Sequence, residues 1–292
     1  MTDDLLIIER EKRLVQQLTG TGLSRIVLNN VGWTSRVYII DSGRLVIKFP
    51  RNKEVKKEYQ QEVAILKVLE QLKTNIQVPK LRWTHPQNDY IGYEGVVGQA
   101  LDIASRGIKF ETKQTIGLAI GTFLKQLHDL EFSGGTDMSL EAEIKEFQFK
   151  YELGLNVMQQ EFTAVEQAEV KDLIYKTMPS ELHRFGARRT VCHGDLGYWN
   201  IVLKEDDTVG IIDFGDVGHY DHSKDFIGLQ EPVVLNAALE AYGDDDILRQ
   251  KIAIRQKVLP VLDIPFYEGK QNAEGLKRTL NNLRENLELI NR

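Results

Sequence analysis

The chain holds a single cysteine, Cys192, which excludes an intramolecular disulfide and any cysteine-built metal cluster. Cys192 sits in an apolar run directly before His193, where a small buried core residue is expected rather than a nucleophile. Nowhere does an apolar run reach the about 20 residues that span a bilayer, and the opening MTDDLLIIEREKRL carries acids where a secretion signal carries bases. A cytoplasmic protein with no membrane partner is expected. Basic residues number 37 against 43 acidic ones, for a net charge of −6, and the one basic cluster is the short run 53–57. That balance argues against nucleic acid as a partner. Internal repeats, low-complexity tracts and a Gly-x-Gly-x-x-Gly loop are also missing.

What remains is a globular composition, 42% hydrophobic and 27% charged, in 292 residues. That length exceeds one compact core and predicts two lobes with a cleft between them. Leu5 to Ile8 with Leu14 and Leu18 predict an amphipathic helix ending at Gly20. Three β-branched stretches follow, 25–28, 35–40 and 44–49, separated by Gly-containing turns, which suits an antiparallel sheet. Lys48 alternates onto one face of the third, either to meet the phosphates of a nucleotide or as an edge lysine that blunts aggregation. The helix expected over 54–72 places Glu58 and Glu62 on one face, and Glu62 lies in its apolar seam, where a carboxylate requires a cation. Lys48 is that cation, which favours the phosphate reading.

The segment 30–35 is either a phosphate cover, through backbone amides with the hydroxyls of Thr34 and Ser35, or a plain hairpin turn. A hairpin over 81–97 leads to an extended linker at 94–98, where backbone groups of Glu94, Val96 and Val97 are placed to meet a purine edge. The expected lobes are therefore 1–93 and 99–292, the second mostly helical, with helices over 112–130, 139–160 and 165–185, the last interrupted at Pro179. The fold class is α+β.

Between Val191 and Phe226 stand VCHGDLGYWNIVL, GIIDFGDVG and DHSKDF. His-Gly-Asp alone, or Asp-Phe-Gly alone, is an ordinary turn. In this order, each flanked by an apolar strand, they describe a magnesium phosphotransfer site. Asp195 is placed to take the proton of an incoming hydroxyl, Asn200 offers an amide oxygen and Asp213 a carboxylate to Mg²⁺. His193 is expected to orient the turn, and His128 to pack within its helix.

These residues make the chain resemble the aminoglycoside phosphotransferase family over nearly its whole length. The resemblance lies in Leu45 to Arg51, Glu62, His193 to Asn200, Ile212 to Gly218, Asp221 and Asp225. It implies a bilobal protein-kinase-like fold with a small antiparallel-sheet lobe, Asp195 as catalytic base, Asn200 and Asp213 as metal ligands, and Lys48 with Glu62 on the phosphates. Asp225 would anchor the second lobe. The implied donor is ATP or GTP with Mg²⁺, and the implied partner a small hydroxylated acceptor. The 2″-phosphotransferase branch, whose members confer antibiotic resistance, looks most similar.

Where that branch places several carboxylates, this chain has Glu231 before an apolar Val233-Val234-Leu235, which suits a less charged acceptor. Tyr198, Glu231, Glu240 and the acidic run 244–246 are the acceptor-side candidates. A macrolide, choline or sugar kinase of the same fold is the alternative enzyme, and a nucleotide-binding pseudokinase the non-catalytic one. A protein kinase is disfavoured, because twelve positions between Asp213 and Asp225 leave no activation segment. A monomer or weak dimer is expected.

Overall fold

A computed structural model describes residues 3–288 apart from 31, 33, 105, 106 and 244. Alternating apolar residues in the first third build a five-stranded antiparallel sheet from β1 (Ile26–Asn29), β2 (Ser35–Ile40), β3 (Leu45–Pro50), β4 (Lys80–Thr84) and β5 (Ile91–Glu94), in the order β1-β2-β3-β5-β4. Lys48 thus stands on the central strand, paired with Val37 on one side and Ile91 on the other. An edge role is thereby ruled out. Helix α1 (Asp3–Thr19) packs Val15 with Tyr38, Ile40, Ile47 and Phe49, and ends before Gly20, whose φ of +66° turns the chain. Helix α2 (Val55–Leu69) is shorter than its pattern suggested at both ends; Asn52 Oδ1 accepts from the Val55 amide at 3.1 Å and so fixes its start.

Beyond the linker, β6 (Gln99–Ala100) pairs with β9 (Ile201–Leu203), which pairs with β10 (Val209–Ile211), after β7 (Thr136–Asp137) and β8 (Arg189–Cys192) have intervened in sequence. Strand β11 (Gly218–Asp221) lies between β7 and β8. The two-residue strands β6 and β7 are too short to show a period, and no sequence pattern announced them.

The rest is helical: α3 (Leu101–Ala104), α4 (Phe110–His128), α5 (Leu140–Glu161), α6 (Ala164–Asp172), α7 (Met178–Phe185), α8 (Pro232–Tyr242), α9 (Asp246–Gly269) and α10 (Ala273–Glu288). Helix α4 carries the core with Ile116, Ile120, Phe123, Leu124 and Leu127, and α8 lies directly on it. A Cβ at Gly121 would fall 1.9 Å from the Ala238 carbonyl, so only glycine admits this approach of the two backbones. The interruption expected at Pro179 takes the form of a π-helical stretch, Leu173–Thr177, immediately before it. The backbone stays helical across the junction, with φ −66° and ψ −56° at Thr177, so Pro179 sits within a continuous helical run whose preceding turn is widened where its N–H is missing. A second core joins α5, α6, α7, α9 and α10 around Phe147, Tyr151, Met178, Val258 and Leu283.

A buried ion network ties that helical group to the end of β11. Arg255 of α9 donates through Nε and Nη2 to both oxygens of Glu143 on α5, each at 2.7 Å, and Lys251 donates to Asp221 at 2.8 Å. Each cation is buried against a carboxylate, the condition under which burial of charge is tolerated.

Candidate active site

The loop between β8 and β9 is held from below by Asp225. This fully buried carboxylate accepts the backbone N–H of His193 at 2.8 Å and of Gly194 at 3.0 Å, and contacts His128 Nε2 at 3.1 Å. Those bonds hold its pKa below the ordinary value against the opposing effect of burial. Gly194 has φ +89°, a conformation that glycine adopts without strain. The His193 ring lies 4.7 Å from that of Phe214 in Asp-Phe-Gly, and its Nε2 is 2.9 Å from the Ile212 carbonyl. His193 therefore ties the loop to the Asp-Phe-Gly turn, as its position in the sequence suggested.

On this base the reactive groups meet. Asp195 is exposed on the loop beside them, and the Asn200 amide donates to its backbone oxygen at 2.8 Å and to Oδ2 at 3.0 Å. With Nδ2 so engaged, the amide oxygen of Asn200 is left to face a cation. Asp213 adopts a left-handed backbone, φ +65°, an uncommon state for a non-glycine residue that turns its carboxylate toward Lys48. Lys48 Nζ stands 2.9 and 3.1 Å from the Glu62 oxygens and 2.8 Å from Asp213 Oδ1. Burial alone would lower the lysine pKa; the two carboxylates outweigh it and keep the ammonium charged. Asp213 is held below the usual carboxylate range by Lys48. Burial pushes Glu62 up, and Lys48 only partly reverses this.

A cleft of about 410 Å³ opens beside these groups. Val46, Tyr93 and Val96 line it from the sheet side, Val202 and Ile212 from the other, while Lys48, Asn200 and Asp213 form its polar end. An apolar slot with a charged end fits a purine ring and its phosphates. The carboxylate of Asp213 and amide oxygen of Asn200 are hard donors of the kind Mg²⁺ takes, and the lowered Asp213 pKa keeps that ligand ionised.

Other candidates fall elsewhere. Ser35 is buried and accepts the Tyr59 hydroxyl at 2.7 Å; neither it nor Thr34 lines the cleft. Of the proposed phosphate cover, positions 31 and 33 lie outside the described residues; its remainder is tied down by Arg51, which donates to the carbonyls of Asn30 and Gly32 at 2.9 and 3.1 Å. Along the linker, Glu94 ends β5 and its side chain pairs with Arg82, Val96 faces the cleft, and Val97 is exposed.

On the acceptor side, Glu231 caps α8, accepting the Val234 amide at 3.0 Å, and pairs with Lys113 at 3.2 Å. The Glu231 amide donates to Tyr198 Oη at 2.9 Å, so Tyr198 braces the start of α8. Glu240 and Val233 line an outer groove with Phe110, whereas Val234 and Leu235 pack into the core. Asp244 lies outside the described residues, and Asp245 caps α9 by accepting from the Leu248 amide at 2.7 Å.

The structure adds a carboxylate the motif did not reveal. Asp263 of α9 is pushed up to about 6, first by burial; Arg278 opposes the shift and Asp195 adds to it. Asp263 is thus in electrostatic reach of Asp195, and it lines a groove of about 310 Å³ with Gln230, Gln256, Asn282, Glu285 and Asn286. The sequence signal was a lone acid in the apolar run Val-Leu-Pro-Val-Leu-Asp263-Ile-Pro-Phe. Asp216, three residues after Asp213, likewise raises the pKa of Asp195, after burial and against the pull of the Trp199 N–H.

The model of the phosphotransferase enzyme family matches residues 25–253. The chain belongs to that family and is a phosphotransferase with an alcohol group as acceptor. Among solved structures it is similar to the GDP and kanamycin complex of APH(2″)-IIIa, at 17% identity over 95% of this chain and 98% of that one, with a TM-score of 0.76. It is also similar to macrolide 2′-phosphotransferase MphH from Brachybacterium faecium (16%, 89% and 92%, 0.62) and to choline kinase LicA from Streptococcus pneumoniae (14%, 95% and 99%, 0.63). At these identities the likeness is one of fold, the protein-kinase-like arrangement of an antiparallel sheet region with a mostly helical remainder. No described helix is long and apolar enough to cross a membrane.

Proposed function

We propose that this phosphotransferase moves the γ-phosphoryl group of ATP or GTP to a hydroxyl of a small, polyhydroxylated, cationic acceptor of the aminoglycoside type. Asp195 is the base that receives the hydroxyl proton, and Lys48, held by Glu62, orients the phosphates. Asn200 and Asp213 would hold Mg²⁺, which supplies charge neutralisation on the phosphates when bound. The nucleotide-bound relatives support a nucleoside triphosphate donor.

The observation that carries the acceptor class is Asp263. The stretch after Asp225 offers few free acids, since Glu231 is engaged by Lys113 and by the α8 cap. Asp263, within reach of Asp195 in a groove of amides and carboxylates, restores the negative field that an ammonium requires. Amide side chains there suit a hydroxyl-rich ligand.

The test is coupled nucleoside-diphosphate release with Mg²⁺ and ATP or GTP across aminoglycosides, macrolides, choline and sugars, using wild type and Asp195→Ala. Release with an aminoglycoside that disappears in the variant supports the reading. Release only with an uncharged acceptor removes the acceptor class, and full turnover by Asp195→Ala removes the base.

A further inference from the structure

Trp199 is half exposed, 50%, beside the carboxylate of Asp195. It precedes Asn200 and lines the same cleft as Lys48 and Asp213. Its Nε1–H donates to Asp195 Oδ2 at 3.2 Å. The ring reaches that position by lying across Gly197, where a Cβ would come within 2.4 Å of Cζ2 and Cη2. Among the described residues, the two side-chain hydrogen bonds to the Asp195 carboxylate, from Trp199 and Asn200, both fall on Oδ2.

An aspartate carboxylate rotates readily, because the terminal torsion is broad and roughly two-fold. Two donors on one oxygen remove that freedom and leave the other oxygen as the free acceptor. We infer that Trp199 is a positioning residue for phosphoryl transfer: with Asn200 it clamps Oδ2 of Asp195 so that Oδ1 is the oxygen presented to the acceptor hydroxyl. The inference rests on the reading of Asp195 as base. In the step, the acceptor O–H proton passes to Oδ1 while the acceptor oxygen forms its bond to the γ-phosphorus. The bond from that phosphorus to the β,γ-bridging oxygen breaks, its electron pair leaving with the nucleoside diphosphate, and the proton on Oδ1 returns to solvent. A clamp acts on orientation in this step and not on affinity for either substrate.

Two variants separate the N–H from the ring. Trp199→Phe keeps an aromatic ring and loses the donor; Gly197→Ala keeps the indole and displaces it. Each is expected to lower kcat by about tenfold with KM for nucleotide and acceptor changed by less than about threefold, since the interaction serves the transition state. Combined with Asp195→Ala, Trp199→Phe is expected to cost nothing further. A direct readout comes from ¹⁵N-labelled tryptophan. Of the three indole N–H resonances, the one missing in Trp199→Phe is expected to move in Asp195→Asn, which a merely packing role does not predict. An unmoved resonance, or wild-type kcat in Trp199→Phe with an inactive Asp195→Ala, overturns the inference while leaving the base in place. Full activity in Asp195→Ala instead overturns the underlying assignment of the base.

Discussion

Lys48 Nζ stands 2.8 Å from Asp213 Oδ1, a contact between residues 165 apart in sequence that fastens the central strand of the sheet to the Asp-Phe-Gly turn. The same ammonium satisfies Glu62, which is 1% exposed. One cation thus answers both the carboxylate that orients it and the carboxylate that would bind metal.

Removing that cation leaves Glu62 buried without a partner. Lys48→Met is expected to destabilise the fold by about 3 kcal/mol, the usual consequence of breaking one side of a buried pair. The double variant Lys48→Met with Glu62→Leu is expected to recover most of that stability in urea denaturation, because an apolar pair of similar volume carries no desolvation penalty. Turnover should stay at least about a hundredfold down in both, since neither can orient the phosphates. Activity recovered together with stability would show that the lysine serves only the fold.

The residues proposed for the phosphate side stood out in the sequence because phosphoryl transfer restricts residue type and because Asp195, Asn200 and Asp213 lie close in the chain. Lys48 and Glu62 were legible through a charged residue in an apolar pattern, twice. Periodicity likewise marked the antiparallel sheet, α1 and α4. The groove proposed for the acceptor was not, for a physical reason: it is assembled from Gln230, α9 and α10, which only tertiary packing brings together. Glu231 read as a free acid because glutamate is not among the favoured helix caps, yet it caps α8. Pro179 marked an irregularity in its helix because a missing N–H is visible in the sequence, though the π-helical form of that turn is not.

Acid sensitivity is expected from His222. Its Nδ1 lies 3.2 Å from the Tyr242 hydroxyl, and burial lowers its pKa from 6.5 to about 4; Asp221 opposes that shift, while Lys251, Arg188 and His128 reinforce it. Above pH 6.5 the imidazole is neutral in both folded and unfolded chains and carries no penalty. As pH falls from 6.5 toward 4, the unfolded chain takes up the proton and the folded one does not, so stability is lost across that window. The loss attributable to this group is about 3 kcal/mol. His222→Asn, which can keep the contact to Tyr242, should flatten this part of the profile in chemical denaturation at pH 7 and pH 4.5. An equal acid loss in both proteins would assign the sensitivity to other groups.

Asp263 is predicted to trade stability for acceptor binding. Its pKa is raised from 3.8 to about 6, so the unfolded chain ionises first as pH rises between those values. Stability contributed by the protonated carboxyl is therefore present below 3.8, is lost through that window and stays lost above 6. Asp263→Asn removes the penalty and should stabilise the protein by about 2 kcal/mol at pH 7.5, with little effect at pH 4. The same change is expected to raise KM for a cationic acceptor about tenfold at pH 7.5, the loss of one charge pair near Asp195. At pH 5 the wild-type carboxyl is itself largely protonated, so the gap in KM should narrow. A more stable variant with unchanged KM would place Asp263 outside the acceptor site, whereas a raised KM confined to charged acceptors identifies the groove between α9 and α10 as the surface that selects them.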